Sequence, residues 1–323
     1  MRNLFRNVNF WIAVIILILP IVFPEDVFRT LSLTAIYAIA ALGMSLLLGY
    51  TGQISLGHAA FLGIGAYTTA ILTTQYNCPV ILAFIASIVM TALIALIIGK
   101  PILKTKGFFL ALTTLGFGEI FFVFTSRTDP VIGGLVGIGG IPYFTIAGYE
   151  FVSYTQIYYL NWIILYGLVL YSQSLVNSRS GRALRAISTD ETAASTMGID
   201  VTNTKLKVFI LSSVYAGIAG SLLATYLSMV QPYGFRVNFS IFIVLSVIVG
   251  GMGQLWGVVA ATVLLTWLKD EYLNQYQEYS VLIYGIILIL ILIFIPQGFG
   301  LLGQTFLDRF QNIRLLPKLN KEK

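Results

Sequence analysis

The chain has 323 residues, of which 58% are hydrophobic and 10% are charged. Soluble domains carry roughly 25% charged residues, so this composition excludes an ordinary soluble domain and predicts a membrane protein. The net charge of +6 does not indicate a nucleic-acid-binding protein, because the basic residues fall in short loops between apolar runs. The single cysteine, Cys78, excludes an intrachain disulfide bond.

Apolar runs separated by charged or turn-rich breaks predict an all-α polytopic membrane protein with about ten transmembrane helices. The predicted spans cover roughly residues 9–23, 30–49, 55–74, 80–99, 107–126, 158–176, 208–230, 239–252, 255–268 and 280–296. No linker rich in Pro, Ser or Gly separates two halves, so we expect a single transmembrane domain over residues 1–323. The eighth and ninth spans are short, or the region between Arg236 and Lys269 is partly re-entrant.

The first span follows Arg2 and Arg6 and is similar to a secretory signal sequence. Pro24-Glu25-Asp26 stands where a cleavage site would follow, so we expect an uncleaved first span. With the N-terminus in the cytoplasm, 15 of the 19 Lys and Arg residues lie in cytoplasmic segments and 4 lie outside, Arg236 and Lys269 among them. Cytoplasmic loops of membrane proteins are enriched in basic residues, so this distribution predicts that both termini are cytoplasmic.

Residues 30–99 contain no Asp, Glu, Lys or Arg, and a glycine-punctuated segment lies in their middle. This segment, residues 49–67, reads Gly-Tyr-Thr-Gly-Gln-Ile-Ser-Leu-Gly-His-Ala-Ala-Phe-Leu-Gly-Ile-Gly-Ala-Tyr. Helix breakers so deep in an apolar run are tolerated only where protein or water satisfies the freed backbone groups. We therefore expect an interrupted helix that lines an interior route, with Gln53, Ser55 and His58 as candidate substrate-pathway residues.

The fifth predicted span carries Thr113, Thr114 and Glu119. A carboxylate within a membrane span is energetically expensive and is a candidate functional group by default. Glu119 either contacts substrate or holds the pathway open, or it has a structural role and pairs with hydroxyl groups or with His58. Thr113 and Thr114 are further candidates for the substrate pathway.

Two other regions give weaker predictions. The outer segment 127–157 mixes glycine with apolar residues, which fits either an ordered cap over the outer mouth or a flexible re-entrant loop. The sequence of residues 52–57 is also similar to that of residues 253–257. Transporters built from inverted repeats place broken helices at matching positions of their two halves, although so short a match also arises by chance.

The predicted cytoplasmic loop at about residues 177–207 contains a candidate docking helix. Ser188 and Glu191 have the spacing of a capping box, and Gly198 has the position of a helix stop. This pattern predicts a helix of about two turns that exposes Ala193 and Ala194. So short a helix is marginal in isolation, which favours one that docks into a groove of another protein over an ordinary surface loop.

Catalytic and metal-binding patterns are missing from the sequence. The only Gly-Lys pair is followed by Pro101, so the chain has no P-loop for ATP. One histidine and one cysteine cannot build a His/Cys metal site, and no Ser-His-Asp set is visible. We therefore expect no enzyme, no metal site and no cofactor.

The residue patterns resemble those of one transporter family. Glu191-x-Ala193-Ala194-x-x-x-Gly198 is similar to the EAA-type coupling motif with which bacterial ABC importer permeases dock on their ATPase subunits. Four further blocks resemble the LivM-type permeases of branched-chain amino acid ABC transporters, and they lie at residues 49–67, 115–120, 250–254 and 296–298. The coupling motif lacks the later proline of fuller examples.

The resemblance implies a permease subunit that moves branched-chain or other neutral amino acids into the cytoplasm across the bacterial cytoplasmic (inner) membrane. Urea and short amides are related cargoes. It implies two ATP-binding subunits that use the ATP, a second related permease and an extracytoplasmic solute-binding protein as partners. It assigns ATPase coupling to Glu191, Ala193, Ala194 and Gly198.

Two other functional classes remain at this point. An ion-coupled secondary transporter or channel would use Glu119 as its proton or cation site, but it would not require the capped cytoplasmic helix. An intramembrane enzyme is disfavoured because catalytic residue sets are missing.

Overall fold

The computed structural model describes residues 2–22, 25–128, 132–146 and 148–269, together with Leu282, Ile283 and Ile286. Within these residues the chain forms the helices α1 (Arg2–Val22), α2 (Glu25–Thr51), α3 (His58–Thr74), α4 (Val80–Ile102), α5 (Phe108–Arg127), α6 (Tyr154–Val176), α7 (Arg179–Thr189), α8 (Glu191–Thr196), α9 (Val201–Leu227), α10 (Val237–Gly250) and α11 (Leu255–Leu268). A short 3-10 helix covers Pro232–Phe235. Four two-residue strands are β1 (Ile138–Gly139), β2 (Thr145–Ile146), β3 (Tyr149–Glu150) and β4 (Met229–Val230).

Six apolar helices of the described chain are long enough to cross a membrane, which confirms the prediction of an all-α polytopic membrane protein. They are Val27–Thr51, Val80–Ile102, Phe108–Arg127, Tyr154–Val176, Val201–Leu227 and Pro232–Gly250, the last of which joins the 3-10 helix to the 14 residues of α10. Two shorter apolar helices cover Asn9–Pro20 and Leu255–Leu268. The tenth predicted span, 280–296, lies almost entirely outside the described residues.

The centre of the fold is formed by α2, α3 and α9. Within the most apolar 18-residue stretch of each helix, 89% of the residues are buried in α2 and 83% in α9, against 22% in α4 and in α5. The backbones of α3 and α9 touch: a Cβ atom at Gly65 would lie 2.2 Å from the carbonyl oxygen of Gly217, and one at Gly220 would lie 1.9 Å from that of Leu62. Glycine at these positions therefore permits the close approach of the two helices.

The predicted interruption of the second span is present. Helix α2 ends at Thr51, residues 52–57 are not helical, and α3 begins at His58. Gly52 has a φ of +68°, a left-handed conformation that glycine adopts without strain. The polypeptide thus leaves one helix and starts another in the middle of the charge-free stretch.

Helices α10 and α11 form a short hairpin. Each has 14 residues, which corresponds to about 21 Å and is less than the roughly 30 Å of a bilayer core. Gly251 and Gly253 in the turn between them have φ values of 93° and 85°. A Cβ atom at Gly49 would lie 2.6 Å from the backbone nitrogen of Gly253, so the hairpin tip touches the end of α2.

The outer segments are ordered over their described residues. β1 pairs with β4, and β2 pairs with β3, both antiparallel. Ile132, Ile141 and Phe144 are buried beneath these strands. The described part of the outer segment therefore contains short paired strands, and both interpretations of its role stay open.

Candidate functional site

Three predicted pathway residues lie buried around the break between α2 and α3. Gln53, Ser55 and His58 are exposed by 5%, 1% and 2%, respectively. The Nε2–H of His58 donates to the carbonyl oxygen of Ala40 at 3.0 Å, because a carbonyl can only accept. The Ser55 hydroxyl has no hydrogen-bond partner within the described part of the chain, which is a costly state for a buried polar atom.

Neighbouring helices hold the break in place. The Thr114 hydroxyl of α5 accepts from the backbone nitrogen of Leu56 at 3.0 Å. The Ser240 hydroxyl of α10 accepts from the backbone nitrogen of Ala59 at 2.9 Å, which satisfies one of the free N–H groups at the start of α3. Ser240 was not predicted, since no local pattern in the sequence marks it.

The two adjacent threonines of α5 have different surroundings. Thr114 is buried against the break, whereas Thr113 is exposed and donates to the carbonyl oxygen of Phe109 at 2.8 Å. The pathway prediction therefore covers two separate faces of α5.

Glu119 is half-buried on α5 and makes neither a hydrogen bond nor an ion pair with any described residue. The structural interpretation, in which this carboxylate pairs with hydroxyl groups or with His58, is wrong for the described chain. His58 instead binds α2, and the hydroxyl groups of Thr113 and Thr114 bind carbonyl oxygens of their own helix.

The predicted capping box at the coupling helix is wrong. The hydrogen bonds of α7 continue through Thr189, so Ser188 lies inside that helix. Asp190 caps α8 instead, and its carboxylate accepts from the backbone nitrogens of Thr192 and Ala193 at 2.7 and 3.1 Å. An aspartate directly before the first helical residue is as good a cap as serine.

The predicted helix stop at Gly198 is confirmed. Gly198 has a φ of +81°, and the backbone nitrogens of Gly198 and Ile199 donate to the carbonyl oxygens of Ser195 and Ala194. This is the hydrogen-bond pattern of a Schellman motif. Ala193 is exposed as predicted, but Ala194 is 3% exposed because the inner face of α8 packs against its neighbours. Met197 is 84% exposed on the outer side.

Glu191 is held by two lysines, neither of which was predicted. One carboxylate oxygen accepts from the Nζ of Lys205 in α9, whose side chain is 8% exposed. The other lies 3.5 Å from the Nζ of Lys106, in the loop between α4 and α5. Burial raises the pKa of the Glu191 carboxyl, but the hydrogen bond and charge of Lys205 and the charge of Lys106 outweigh it and lower the pKa below the usual value.

The comparisons with known proteins decide the family. Residues 27–292 match the family described as "Branched-chain amino acid transport system / permease component". The chain belongs to this family. It is a membrane-embedded permease subunit of an ATP-binding-cassette importer, as the sequence resemblance indicated.

The permease is similar to several curated proteins. It is 33% identical to the high-affinity branched-chain amino acid transport system permease protein LivM of Salmonella typhimurium strain LT2, over 83% of this chain and 68% of that protein. It is also 33% identical to LivM of Escherichia coli strain K12, over 88% of this chain and 73% of the relative. Its identity to the permease protein LivH of the same Salmonella strain is 23%, over 89% and 97% of the two chains. No solved structure matches the permease significantly.

The structure places the candidate residues of the permease in three regions. Gln53, Ser55, His58 and Thr114 gather at the α2–α3 break, whereas Thr113 and Glu119 lie elsewhere on α5. The four candidate coupling residues lie together in or beside α8: Glu191, Ala193, Ala194 and Gly198. Of these, Glu191 and Ala194 face inward.

Proposed function

We propose that this permease moves branched-chain or closely related neutral amino acids into the cytoplasm, driven by ATP hydrolysis on two partner ATP-binding subunits. The observation that carries this proposal is the 33% identity to LivM proteins over 83% and 88% of the chain. Those proteins are named as parts of high-affinity branched-chain amino acid transport systems. The permease itself needs no cofactor in this proposal, because ATP is used by the partner subunits.

The proposed topology is one permease domain over residues 1–323 with ten membrane segments and both termini in the cytoplasm of a bacterial inner membrane. The distribution of Lys and Arg supports this orientation. In this topology α10 and α11 enter from the outer side and return to it, and their tip reaches the cytoplasmic end of α2.

The proposed partners include a second, related permease and an extracytoplasmic solute-binding protein. Similarity to LivM and to LivH of one Salmonella strain supports a pair of homologous permeases, since both proteins match most of this chain. The ordered outer segment, with its paired strands, would form the surface that faces the binding protein.

In the proposed mechanism the ATP-binding subunits press on the loop at about 177–207. Ala193 and Met197 face outward on or beside α8 and would contact the ATPase, whereas Ala194 and Gly198 shape the helix. Glu191 then connects α8 to α9 through Lys205. Helix α9 is in backbone contact with α3, so a displacement of α8 would move α9 and then α3. This movement would change the proposed substrate pathway, which consists of Gln53, Ser55 and His58 at the break and Thr113, Thr114 and Glu119 on α5.

Purification of the tagged permease from its native membrane in mild detergent tests this proposal. Mass spectrometry of the co-purified proteins should find two chains or copies with P-loop motifs and one related permease. A matched purification of a Met197→Glu variant should lose the ATPases and retain the second permease, because a charge would enter the exposed docking surface. Recovery of the wild-type chain alone, combined with transport that needs no ATP, would contradict the proposal and favour a secondary transporter.

A further inference from the structure

Two opposite charges on neighbouring elements lack ion-pair partners in the described structure. The carboxylate of Glu119 in α5 makes no polar contact there. The guanidinium of Arg236, which directly precedes α10, makes none either, and it stacks on the ring of Phe122 at 4.8 Å from the ring centroid. The two groups do not form an ion pair with each other, since the described ion pairs are those of Glu191 with Lys106 and Lys205.

Glu119 lies near the middle of α5, and Arg236 lies at the N-terminal end of α10. Helix α5 has 20 residues, and at about 1.5 Å per residue the backbone of Glu119 lies about 17 Å from Phe108, near the middle of the helix. Arg236 lies between Phe235, which is 3.0 Å from a Cβ atom placed at Gly63, and Ser240, which binds Ala59. Both contacts place the start of α10 beside the first half of α3.

Arg236 contacts α5 one helical turn after Glu119. Phe122 follows Glu119 by three residues, so the side chains of both emerge on the same side of α5. Side chains of helical residues lean toward the helix N-terminus, which brings the Phe122 ring over the turn that carries Glu119. The guanidinium that stacks on this ring therefore lies on the same side of α5 as the Glu119 carboxylate.

Unpaired charges in contact with lipid are energetically expensive, so these groups must face water, cargo or a partner. The exposed surface of α4 offers a contrast, because its large exposed side chains before Lys100 in the last turn are apolar: Ile81, Leu82, Ile85, Val89, Met90, Leu93, Leu96 and Ile97. Glu119 is half-buried and Arg236 is exposed, so neither charge is sealed inside the described part of the protein. Tyr233 is 58% exposed, and its ring lies 5.5 Å from that of Phe122, so an aromatic surface adjoins the charges.

We propose that Glu119 and Arg236 bind the charged groups of a zwitterionic α-amino acid during its passage through the permease. Glu119 accepts hydrogen bonds from the ammonium group, and Arg236 donates to the carboxylate. Phe122 and Tyr233 contact the apolar side chain of the cargo. This site rests on the proposed function for its cargo class, and it gives the permease a means to reject amines and acids that carry only one of the two charges.

The test uses the purified full-length permease in lipid nanodiscs and three ligands that share a 3-methylbutyl skeleton. These are leucine, isocaproate, which lacks the ammonium group, and isoamylamine, which lacks the carboxylate. Saturation-transfer NMR measures the dissociation constant of each. Each variant removes one hydrogen bond to a charged group, which corresponds to about a tenfold loss of affinity. Glu119→Gln should weaken the binding of leucine and isoamylamine by this factor and leave that of isocaproate unchanged. Arg236→Gln should weaken the binding of leucine and isocaproate and leave that of isoamylamine unchanged.

Matched controls replace the same residue types outside the site, namely Arg127→Gln at the outer end of α5 and Glu150→Gln in β3. Both should bind all three ligands as the wild type does. Three results would each overturn the site. The Glu119 and Arg236 variants could lose affinity for all three ligands equally, neither variant could change binding, or the wild type could fail to bind leucine. If the Glu119 and Arg236 variants kept normal ATP-driven leucine uptake and unchanged binding, the proposed site would be wrong and the proposed function would stand. If the predicted binding pattern appeared but the wild type showed no ATP-driven uptake, the site would stand and the proposed function would be wrong.

Discussion

Glu191 contacts one lysine that is almost inaccessible to water and one that is mostly exposed. The side chain of Lys205 is 8% exposed and that of Lys106 is 76% exposed. Exposed ion pairs contribute about 0–1 kcal/mol, whereas removal of one member of a buried pair costs about 3 kcal/mol or more. The contact with Lys205 is therefore the one that fixes α8 to α9.

Substitutions at these three residues should have graded effects on coupling. Glu191→Gln leaves the buried Lys205 ammonium without its carboxylate, so it should loosen α8 most and lower the number of substrate molecules imported per ATP several-fold. Lys205→Met should have a smaller effect, because Glu191 keeps Lys106 and is a third exposed. Lys106→Gln should have almost none. Parallel assays of ATP hydrolysis and uptake in proteoliposomes measure the ratio.

Lys207→Gln is the matched control for Lys205, since this lysine lies two residues further on and is exposed. Equal coupling in all variants would show that Glu191 has no transmitting role. The pKa of Glu191 is lowered in the folded protein. The stabilisation that Glu191 contributes is therefore present above the usual pKa of a glutamate and is lost as pH falls through the folded-state pKa. Coupling should therefore stay constant across neutral pH.

Some properties of single residues could be predicted from the sequence and others could not. The stop at Gly198 was predictable, because a glycine after a short polar helix is the residue that adopts the left-handed conformation at low cost. The cap was mispredicted, since Ser188 and Asp190 are both good N-caps and only the length of α7 decides between them. Lys205 was counted as a cytoplasmic charge, because its burial depends on how α8 packs.

At the scale of helices, the contact between α3 and α9 depends on glycine. Gly220→Ala should lower the free energy of unfolding by about 1–3 kcal/mol, because the added methyl group would overlap the carbonyl oxygen of Leu62. Gly65→Ala should do the same against Gly217. Thermal unfolding of the purified permease in detergent, followed by intrinsic tryptophan fluorescence, measures the change.

Gly167→Ala in α6 is the control, because no atom lies within 4 Å of a Cβ atom placed there. Alanine has a higher helix propensity than glycine, so this variant should unfold at the same temperature as the wild type or slightly above it. If the three variants were equally stable, close backbone contact would not be what joins α3 to α9.

Hydropathy and glycine spacing predicted most of the described helices, since spans of about 20 apolar residues and a glycine-rich break have strong local signals. The pairing of the elements was less predictable. The similarity between residues 52–57 and 253–257 did not predict that these two regions lie together. In the structure Gly49 and Gly253 touch, and the Tyr50 hydroxyl donates to the carbonyl oxygen of Gly253 at 2.6 Å. Such contacts depend on how α10 and α11 fold back, which composition alone does not encode.

At the scale of the whole molecule, the permease has a buried centre and two sparsely covered helices, α4 and α5. Both helices expose large apolar side chains suited to lipid, but α5 also carries Thr113 and Glu119. The chain also matches both LivM and LivH relatives over most of its length. These features support an assembly in which the side of α5 that carries Glu119 borders the substrate route and α8 meets the ATP-binding subunits.

Uptake of radiolabelled leucine into proteoliposomes tests the central claim most directly. The vesicles contain this permease, its co-purified permease partner and the ATP-binding subunits, with ATP on the side of the ATPases and the solute-binding protein on the other. Our account predicts accumulation that requires ATP, the binding protein and every subunit. Accumulation by this chain alone, driven by an ion gradient without ATP, would contradict it and would make Glu119 the site of ion coupling.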